Sequence, residues 1–155
     1  YIEQNNLKVC AILNTHGHYD HIGAIEYLKN IYSIPFYLHS NDYRLLKSAN
    51  LYVTLFDGTR LVEIPNVDCF IDQIDIPHQI KNFSVDFIPT PGHTSGSVCI
   101  LIEDCLFTGD TLLKGKVGRV DLPGADKSAL KSSLVTIAKF PKKTKTPTTN
   151  PTTPC

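Results

Sequence analysis

The stretch Thr15-His16-Gly17-His18-Tyr19-Asp20-His21 decides how this chain is interpreted. It places three imidazoles and a carboxylate within six residues, directly after an apolar run that ends at Leu13. An imidazole costs free energy to bury without partners, whereas imidazoles and carboxylates in this density are typical of a zinc-type site. Because side chains alternate along an extended segment, His16, His18 and Asp20 should point to the same side. The stretch therefore favours a metal site over a polar loop or surface cluster without metal.

Two later segments repeat the layout of an apolar strand followed by a small residue and a potential ligand. Pro91-Gly92-His93-Thr94 follows the apolar run 85–88, and Gly109-Asp110-Thr111 follows Leu106-Phe107. Glycine allows the backbone to turn tightly beside a ligand, and loops at one rim of a sheet often carry function. Alone, His93 or Asp110 would more often be an ordinary loop residue. Together with the first cluster, they are predicted to complete the metal site.

The three motifs resemble those of the metallo-β-lactamase fold superfamily, and most of all its hydroxyacylglutathione hydrolase (glyoxalase II) branch. They read His16-x-His18-x-Asp20-His21, Gly92-His93-Thr94-x-Gly96-Ser97 and Phe107-Thr108-Gly109-Asp110-Thr111. The resemblance covers about residues 7 to 141. It implies an α/β fold of the αβ/βα sandwich type, with two facing sheets and helices outside.

The resemblance also implies a role for each motif residue. His16, His18 and His93 would hold one metal ion, and Asp110 would bridge it to a second. Asp20 and His21 would help to hold that second ion. Zn²⁺ is the expected cofactor at both sites, with Fe²⁺ or Mn²⁺ as alternatives.

The implied activity is hydrolysis of a small thioester such as an S-acylglutathione, by attack of metal-bound hydroxide on the carbonyl carbon. Asp20 would act as a catalytic residue by orienting that hydroxide. Arg119 falls where the branch places a basic residue near the substrate carboxylate, which arginine can bind with two hydrogen bonds. A loop ion pair of Arg119 with Asp121 or Asp126 is the competing interpretation.

Two departures from the branch pattern leave other interpretations open. The chain has no histidine after His93, so the second metal site is expected to lack one ligand. The strands that usually precede the first motif are absent, the sequence contains no methionine, and a Pro/Thr-rich tail stands where the late ligand loop should come, which together predict a truncated or frame-shifted product. One alternative is a mononuclear iron persulfide dioxygenase that uses His16, His93 and Asp110 as a facial triad. Another is an inactive fragment of such an enzyme.

Composition limits the remaining possibilities. The 155 residues are predicted to form one domain over residues 1–141 and a disordered, Pro/Thr-rich tail over 142–155. Lys plus Arg and Asp plus Glu number 15 each, which gives no electrostatic basis for nucleic-acid binding. The apolar runs are too short to predict a membrane span. The five cysteines form no C-x-x-C pair and favour a reducing cytoplasm over a disulfide framework, while the oligomeric state stays open.

Hydrophobic periodicity predicts strands that alternate with helices, as in a layered α/β fold. Strands are predicted at residues 7–13, 35–39, 67–76, 83–88, 98–102 and 106–107. Helices are predicted at residues 21–31, from 41 or 42 to 50, and at 127–140. Asn41 or Asp42 should cap the second helix and Asp126 the last.

Overall fold

The computed structural model describes residues 1–58, 61–141 and 144–146. The strands in these ranges are β1 (Ile12–Leu13), β2 (Phe36–Leu38), β3 (Cys69–Phe70), β4 (His78–Ile80), β5 (Phe83–Pro89), β6 (Val98–Ile102), β7 (Cys105–Phe107), β8 (Leu112–Leu113) and β9 (Lys116–Val117). The α-helices are α1 (Ile25–Tyr32), α2 (Tyr43–Lys47), α3 (Ala49–Tyr52) and α4 (Lys127–Ile137). A π-helical turn spans Val53–Asp57, and short 3₁₀ turns lie at Tyr19–His21, Ser40–Asp42, Ile71–Gln73 and Gly109–Thr111.

The strands form two main sheets of different character. The first half of the chain builds a parallel sheet in the order β1-β2-β3. The second half builds an antiparallel sheet in the order β4-β5-β6-β7, in which consecutive strands are neighbours. Strands β8 and β9 form a separate hairpin.

Alternation of side chains along β2 and β6 explains how the layers pack. On β2, Tyr37 packs in a core cluster with residues of the second sheet such as Val85 and Ile100. Its neighbours Phe36 and Leu38 join a different cluster, formed with α1, α2 and α3. On β6, Cys99 packs with Leu106 and Ile137 of α4, on the opposite side from Ile100. Because neighbouring residues on a strand point to opposite faces, the sheets face each other and the helices lie outside, which confirms the αβ/βα sandwich.

Several predicted elements are correct in kind and shorter in extent. The strand predicted at 7–13 is limited to β1, because its parallel partner follows Pro35, which has no N–H to extend the ladder. The helix predicted at 21–31 begins only at Ile25, since Tyr19–His21 form a 3₁₀ turn in which the N–H of His21 bonds to the carbonyl of His18. The segment 67–76 contributes only one strand, β3, at the edge of the parallel sheet.

The predicted caps divide into one that is confirmed and one that is wrong. Asp126 caps α4 by accepting hydrogen bonds from the N–H groups of Ser128 and Ala129. Asp42 precedes α2 but makes no side-chain cap bond, because its carboxylate is engaged elsewhere. The helix predicted there to residue 50 is divided into α2 and α3, which run to Tyr52.

The predicted tail falls mostly outside the described ranges. Of the described residues 144–146, Lys145 forms a single parallel bridge with Cys105, beside β7. No helix in the part of the chain that the structure describes is long and apolar enough to cross a membrane.

The helix-facing core generates a stability prediction for two leucines on neighbouring helices. Leu46 of α2 is fully buried, whereas Leu51 of α3 is 59% exposed. We expect Leu46→Ala to lower the free energy of unfolding by about 2–5 kcal/mol, since it removes apolar contacts and leaves a cavity. Leu51→Ala is the matched control and should change it by less than about 0.5 kcal/mol. Urea denaturation measures both, and equal losses would contradict the layer assignment.

Candidate metal centre

The three motif loops follow strands of both sheets and meet at one end of the sandwich. The loop with His16 and His18 follows β1, the loop with His93 follows β5, and Asp110 lies in the turn after β7. A backbone hydrogen bond from the N–H of Val98 to the carbonyl of Thr15 (2.9 Å) joins the first motif to the start of β6. The loops therefore converge across the seam between the sheets.

His16, His18 and His93 form a compact, buried cluster of imidazoles. Their ring centroids lie 4.7–4.9 Å apart, and the ring planes are nearly perpendicular. One ring nitrogen from each lies within 4.8 Å of the others, as ligands of a single ion require. The residues are only 1%, 7% and 3% exposed. Such a cluster has no evident role in packing, since apolar side chains would fill the same space without polar atoms to satisfy.

A buried nitrogen without a partner supports the interpretation as a metal site. Within the described residues, Nε2 of His16 is buried and has no hydrogen-bond partner. An unsatisfied buried polar atom costs free energy. A cation held by this nitrogen and by the nearby nitrogens of His18 and His93 would satisfy it, so the donor set fits a metal ion.

The carboxylate of Asp110 lies between this cluster and His21. Its Oδ2 is 3.6 Å from Nε2 of His93, and its Oδ1 is 3.6 Å from Nε2 of His21. His16, His21 and Asp110 accordingly form a second group whose ligand atoms lie within 4.8 Å of one another. A carboxylate with one oxygen toward each group is placed as a bridge between two ions would be.

Asp20 lies at the edge of the centre. Its Oδ2 is 3.9 Å from Nε2 of His21, and its side chain is 62% exposed. It belongs to neither of the two compact groups. The structure thus brings His16, His18, His21, His93 and Asp110 together and places Asp20 at the solvent side of the second group.

Hydrogen bonds to the backbone orient the histidines. Nδ1 of His93 donates to the carbonyl oxygen of Arg119 (2.9 Å), which leaves the lone pair of the neutral ring on Nε2. Nε2 of His93 in turn lies 2.9 Å from Nδ1 of His18, so these two nitrogens face each other inside the cluster. The side-chain amide of Asn14 donates to the carbonyls of His16 and His21, both at 3.2 Å. The first motif is therefore held by Asn14, the residue that directly follows β1.

Burial keeps His16 and His18 uncharged near neutral pH. It lowers the pKa of His16 well below the usual value, and the neighbouring imidazoles add to this effect. Burial, followed by the proximity of His93, lowers the pKa of His18 to about 4, although nearby carboxylates act in the opposite direction. A neutral imidazole is the form that binds a metal ion.

The side chain of Arg119 is engaged with an exposed carboxylate. Its Nε and one terminal nitrogen each donate to an oxygen of Asp121 at 2.9 Å. An ion pair of Arg119 with Asp121 was one of the two alternatives to a role of Arg119 in substrate binding. Asp126, the other candidate partner, caps α4 instead.

Sequence reasoning missed Asp42 as a residue of this centre. Its carboxylate is buried and accepts hydrogen bonds from the loops that carry the histidines. The signal in the sequence was weak, since an aspartate before a helix predicts a cap. The glycines at positions 17 and 96 were the only hint that a bulky group approaches both loops.

Comparison with known proteins agrees with this geometry. The family model of the metallo-beta-lactamase superfamily matches residues 1–147. The hydroxyacylglutathione hydrolase GloC of Haemophilus influenzae is 32% identical over 142 residues, covering 87% of this chain and 65% of GloC. The chain spans 61–65% of the length of several curated relatives that it matches.

Two solved structures resemble the chain closely in fold and at the level of sequence. The crystal structure of the BLEG-1 B3 metallo-beta-lactamase is 32% identical, with a TM-score of 0.85, over 94% of this chain and 71% of that one. The structure of TTHA1623 in a di-iron-bound form is 33% identical, with a TM-score of 0.78, over 95% and 72% of the two chains. By its motifs, its sandwich fold and these similarities, this chain belongs to the metallo-β-lactamase superfamily.

Proposed function

We propose that the intact protein is a metal-dependent hydrolase whose substrate is a small thioester of the S-acylglutathione type. The observation that carries the proposal is the position of Asp110, with one carboxylate oxygen toward His93 and the other toward His21. This arrangement suits a pair of ions that share a ligand, as two-metal hydrolases use. The choice of thioester is supported by the 32% identity to the hydroxyacylglutathione hydrolase GloC.

His16, His18, His93 and Asp110 would hold the first ion, and Asp20, His21 and Asp110 the second. Zn²⁺ suits the imidazole-rich first set, and the di-iron form of TTHA1623 supports iron as an alternative, with Mn²⁺ as another. When bound, such ions lower the pKa of water and polarise a carbonyl, so no serine or cysteine nucleophile is needed. The first set is the stronger one, because its three histidines are buried and already in contact.

The chain's own residues would perform two further tasks. Asp20, which is exposed at the rim with Oδ2 3.9 Å from Nε2 of His21, would accept a hydrogen bond from the attacking water and orient it. Arg119 would release Asp121 and bind the carboxylate of the substrate in its place. Both partners of the present pair are about two-thirds exposed, and such pairs contribute little, so the exchange is easy.

The first prediction concerns metal content. Purified protein should retain zinc, iron or manganese after dialysis, whereas His16→Ala should lose most of it because His16 belongs to the first, stronger ligand set. His39→Ala is the control, since His39 lies outside both groups and caps a 3₁₀ turn. Elemental analysis measures all three proteins. Equal metal content in the His16 variant and the unchanged protein would refute the ligand assignment.

The second prediction concerns pH and the metal-free protein. Because burial lowers the pKa of His16 and His18, the unfolded chain binds protons that the folded chain excludes once pH falls below about 6.5. The contribution of the neutral histidines to the free energy of unfolding is fully present above that pH and declines as the pH falls toward about 4. The urea concentration at the unfolding midpoint of chelator-treated protein should therefore decrease when the pH is lowered from about 7.5 to about 5.

His18→Asn tests the assignment of this pH dependence. The variant lacks one of the two shifted groups, so its urea midpoint should change less over the same interval. An identical pH dependence in the variant and the unchanged protein would show that His18 does not contribute.

The third prediction concerns the reaction. The intact gene product, supplied with zinc, should release free thiol from S-lactoylglutathione, and His93→Ala or Asp110→Ala should abolish nearly all of this activity. Thiol release is followed with a chromogenic disulfide reagent. Hydrolysis of a chromogenic β-lactam instead would indicate the activity in the name of BLEG-1. Oxygen uptake on glutathione persulfide by the iron-loaded protein would indicate the dioxygenase.

A further inference from the structure

We infer that Asp42 is a positioning residue for the metal centre, which holds the loop of His16 and His18 against the loop of His93. Asp42 is 1% exposed, and its carboxylate accepts three hydrogen bonds from residues far away in the sequence. Oδ2 accepts from the N–H of Gly17 (2.9 Å) and from the hydroxyl of Thr94 (2.7 Å). Oδ1 accepts from the N–H of Gly96 (2.8 Å). The inference rests on the proposed metal site.

These contacts are not those of an ordinary helix cap or ion pair. Asp42 precedes α2, yet its side chain makes no bond to the N–H groups of that helix. Among the described residues, no lysine or arginine forms a salt bridge with it. A buried carboxyl group requires hydrogen-bond partners, and here two backbone N–H groups and a hydroxyl provide them. The carboxylate is therefore committed to the two ligand loops.

The close approach of Asp42 explains why positions 17 and 96 of the two motifs are glycine. A Cβ atom on Gly17 would lie 3.1 Å from the carbonyl oxygen of Asp42 and 3.2 Å from its Cβ. A Cβ atom on Gly96 would lie 2.7 Å from Cγ of Asp42. Neither glycine has a left-handed backbone conformation, so close approach to Asp42, and not backbone freedom, accounts for both.

A short chain of hydroxyl groups extends the contact within the second loop. Thr94 uses its only hydroxyl proton for Asp42, so the hydroxyl of Ser97, at 2.7 Å, must donate to Thr94. The oxygen of Ser97 accepts from the N–H of Thr94 (3.0 Å). The turn that begins at Thr94 is thus closed on itself and fixed to Asp42.

The position of these contacts relative to the histidines defines what Asp42 does. Gly17 lies between His16 and His18 in the sequence, and Thr94 directly follows His93. By holding Gly17 and Thr94 on the same oxygen, Asp42 fixes the distance between the two loops. The short separation of 2.9 Å between Nδ1 of His18 and Nε2 of His93 is the result. Asp42 therefore preorganises the first ligand set without contacting an ion.

The test uses Co²⁺ as a spectroscopic probe of the full chain. Asp42→Asn keeps the size of the side chain but places an amide donor where N–H and O–H donors point. We expect Co²⁺ to bind roughly 10- to 100-fold more weakly, as for loss of other groups that orient ligands, with a changed d–d absorption spectrum. The control is Asp72→Asn, whose carboxylate accepts from the N–H and hydroxyl of Ser40 and contacts neither ligand loop. The control should match the unchanged protein in affinity and spectrum.

The outcomes separate this inference from the proposed function. Failure of the unchanged protein to bind Co²⁺ would overturn the metal site and the inference with it. Normal binding and an unaltered spectrum in Asp42→Asn would overturn only the role of Asp42. If Asp42→Asn does not fold, Thr94→Ser and Thr94→Val decide the question. The valine variant, which lacks the hydroxyl, should bind Co²⁺ more weakly than the serine variant, and equal binding would count against the inference.

Discussion

Every buried imidazole nitrogen at the end of the sandwich needs a partner, and the arrangement of the motif loops follows from this need. His93 gives its Nδ1 proton to a backbone carbonyl, and its other nitrogen faces His18. His16 has Nδ1 3.1 Å from the hydroxyl of Thr15, while its Nε2 points into the cluster with no partner among the described residues. These restraints bring nitrogens from two loops to a common centre. A cation completes an arrangement that packing alone does not explain.

The centre depends on the closure of the two sheets onto each other. His16 and His18 are carried by the parallel sheet, whereas His93 and Asp110 follow strands of the antiparallel sheet. The contact of Tyr37 with Phe87, stacked at 6.4 Å between ring centroids, lies in the core that joins the sheets. Ligands from both halves meet only when this core is formed. Metal binding and packing of the sheets should therefore be thermodynamically coupled.

The sequence predicted those features that depend on neighbours along the chain. The order of strand, glycine and ligand places His93 and Asp110 correctly after β5 and β7, because strand ends and the loops that follow are local. The extent of β1 depends on its partner beside Pro35, so the longer predicted strand was wrong. Strand β4 was not predicted, because Ile80 is the only apolar residue of its three. Asp42 could not be assigned to the centre, since its three partners lie 25 to 54 residues away.

The hydrogen bond from His93 to Arg119 separates the task of the backbone from the task of the side chain at one position. The metal centre uses only the carbonyl oxygen of Arg119, which every amino acid possesses. The guanidinium instead donates hydrogen bonds to the exposed carboxylate of Asp121. A substitution here would therefore change the group offered to a substrate, while the carbonyl that fixes the tautomer of His93 stays in place. What the site binds and how it holds a metal ion are thus set by different atoms of one residue.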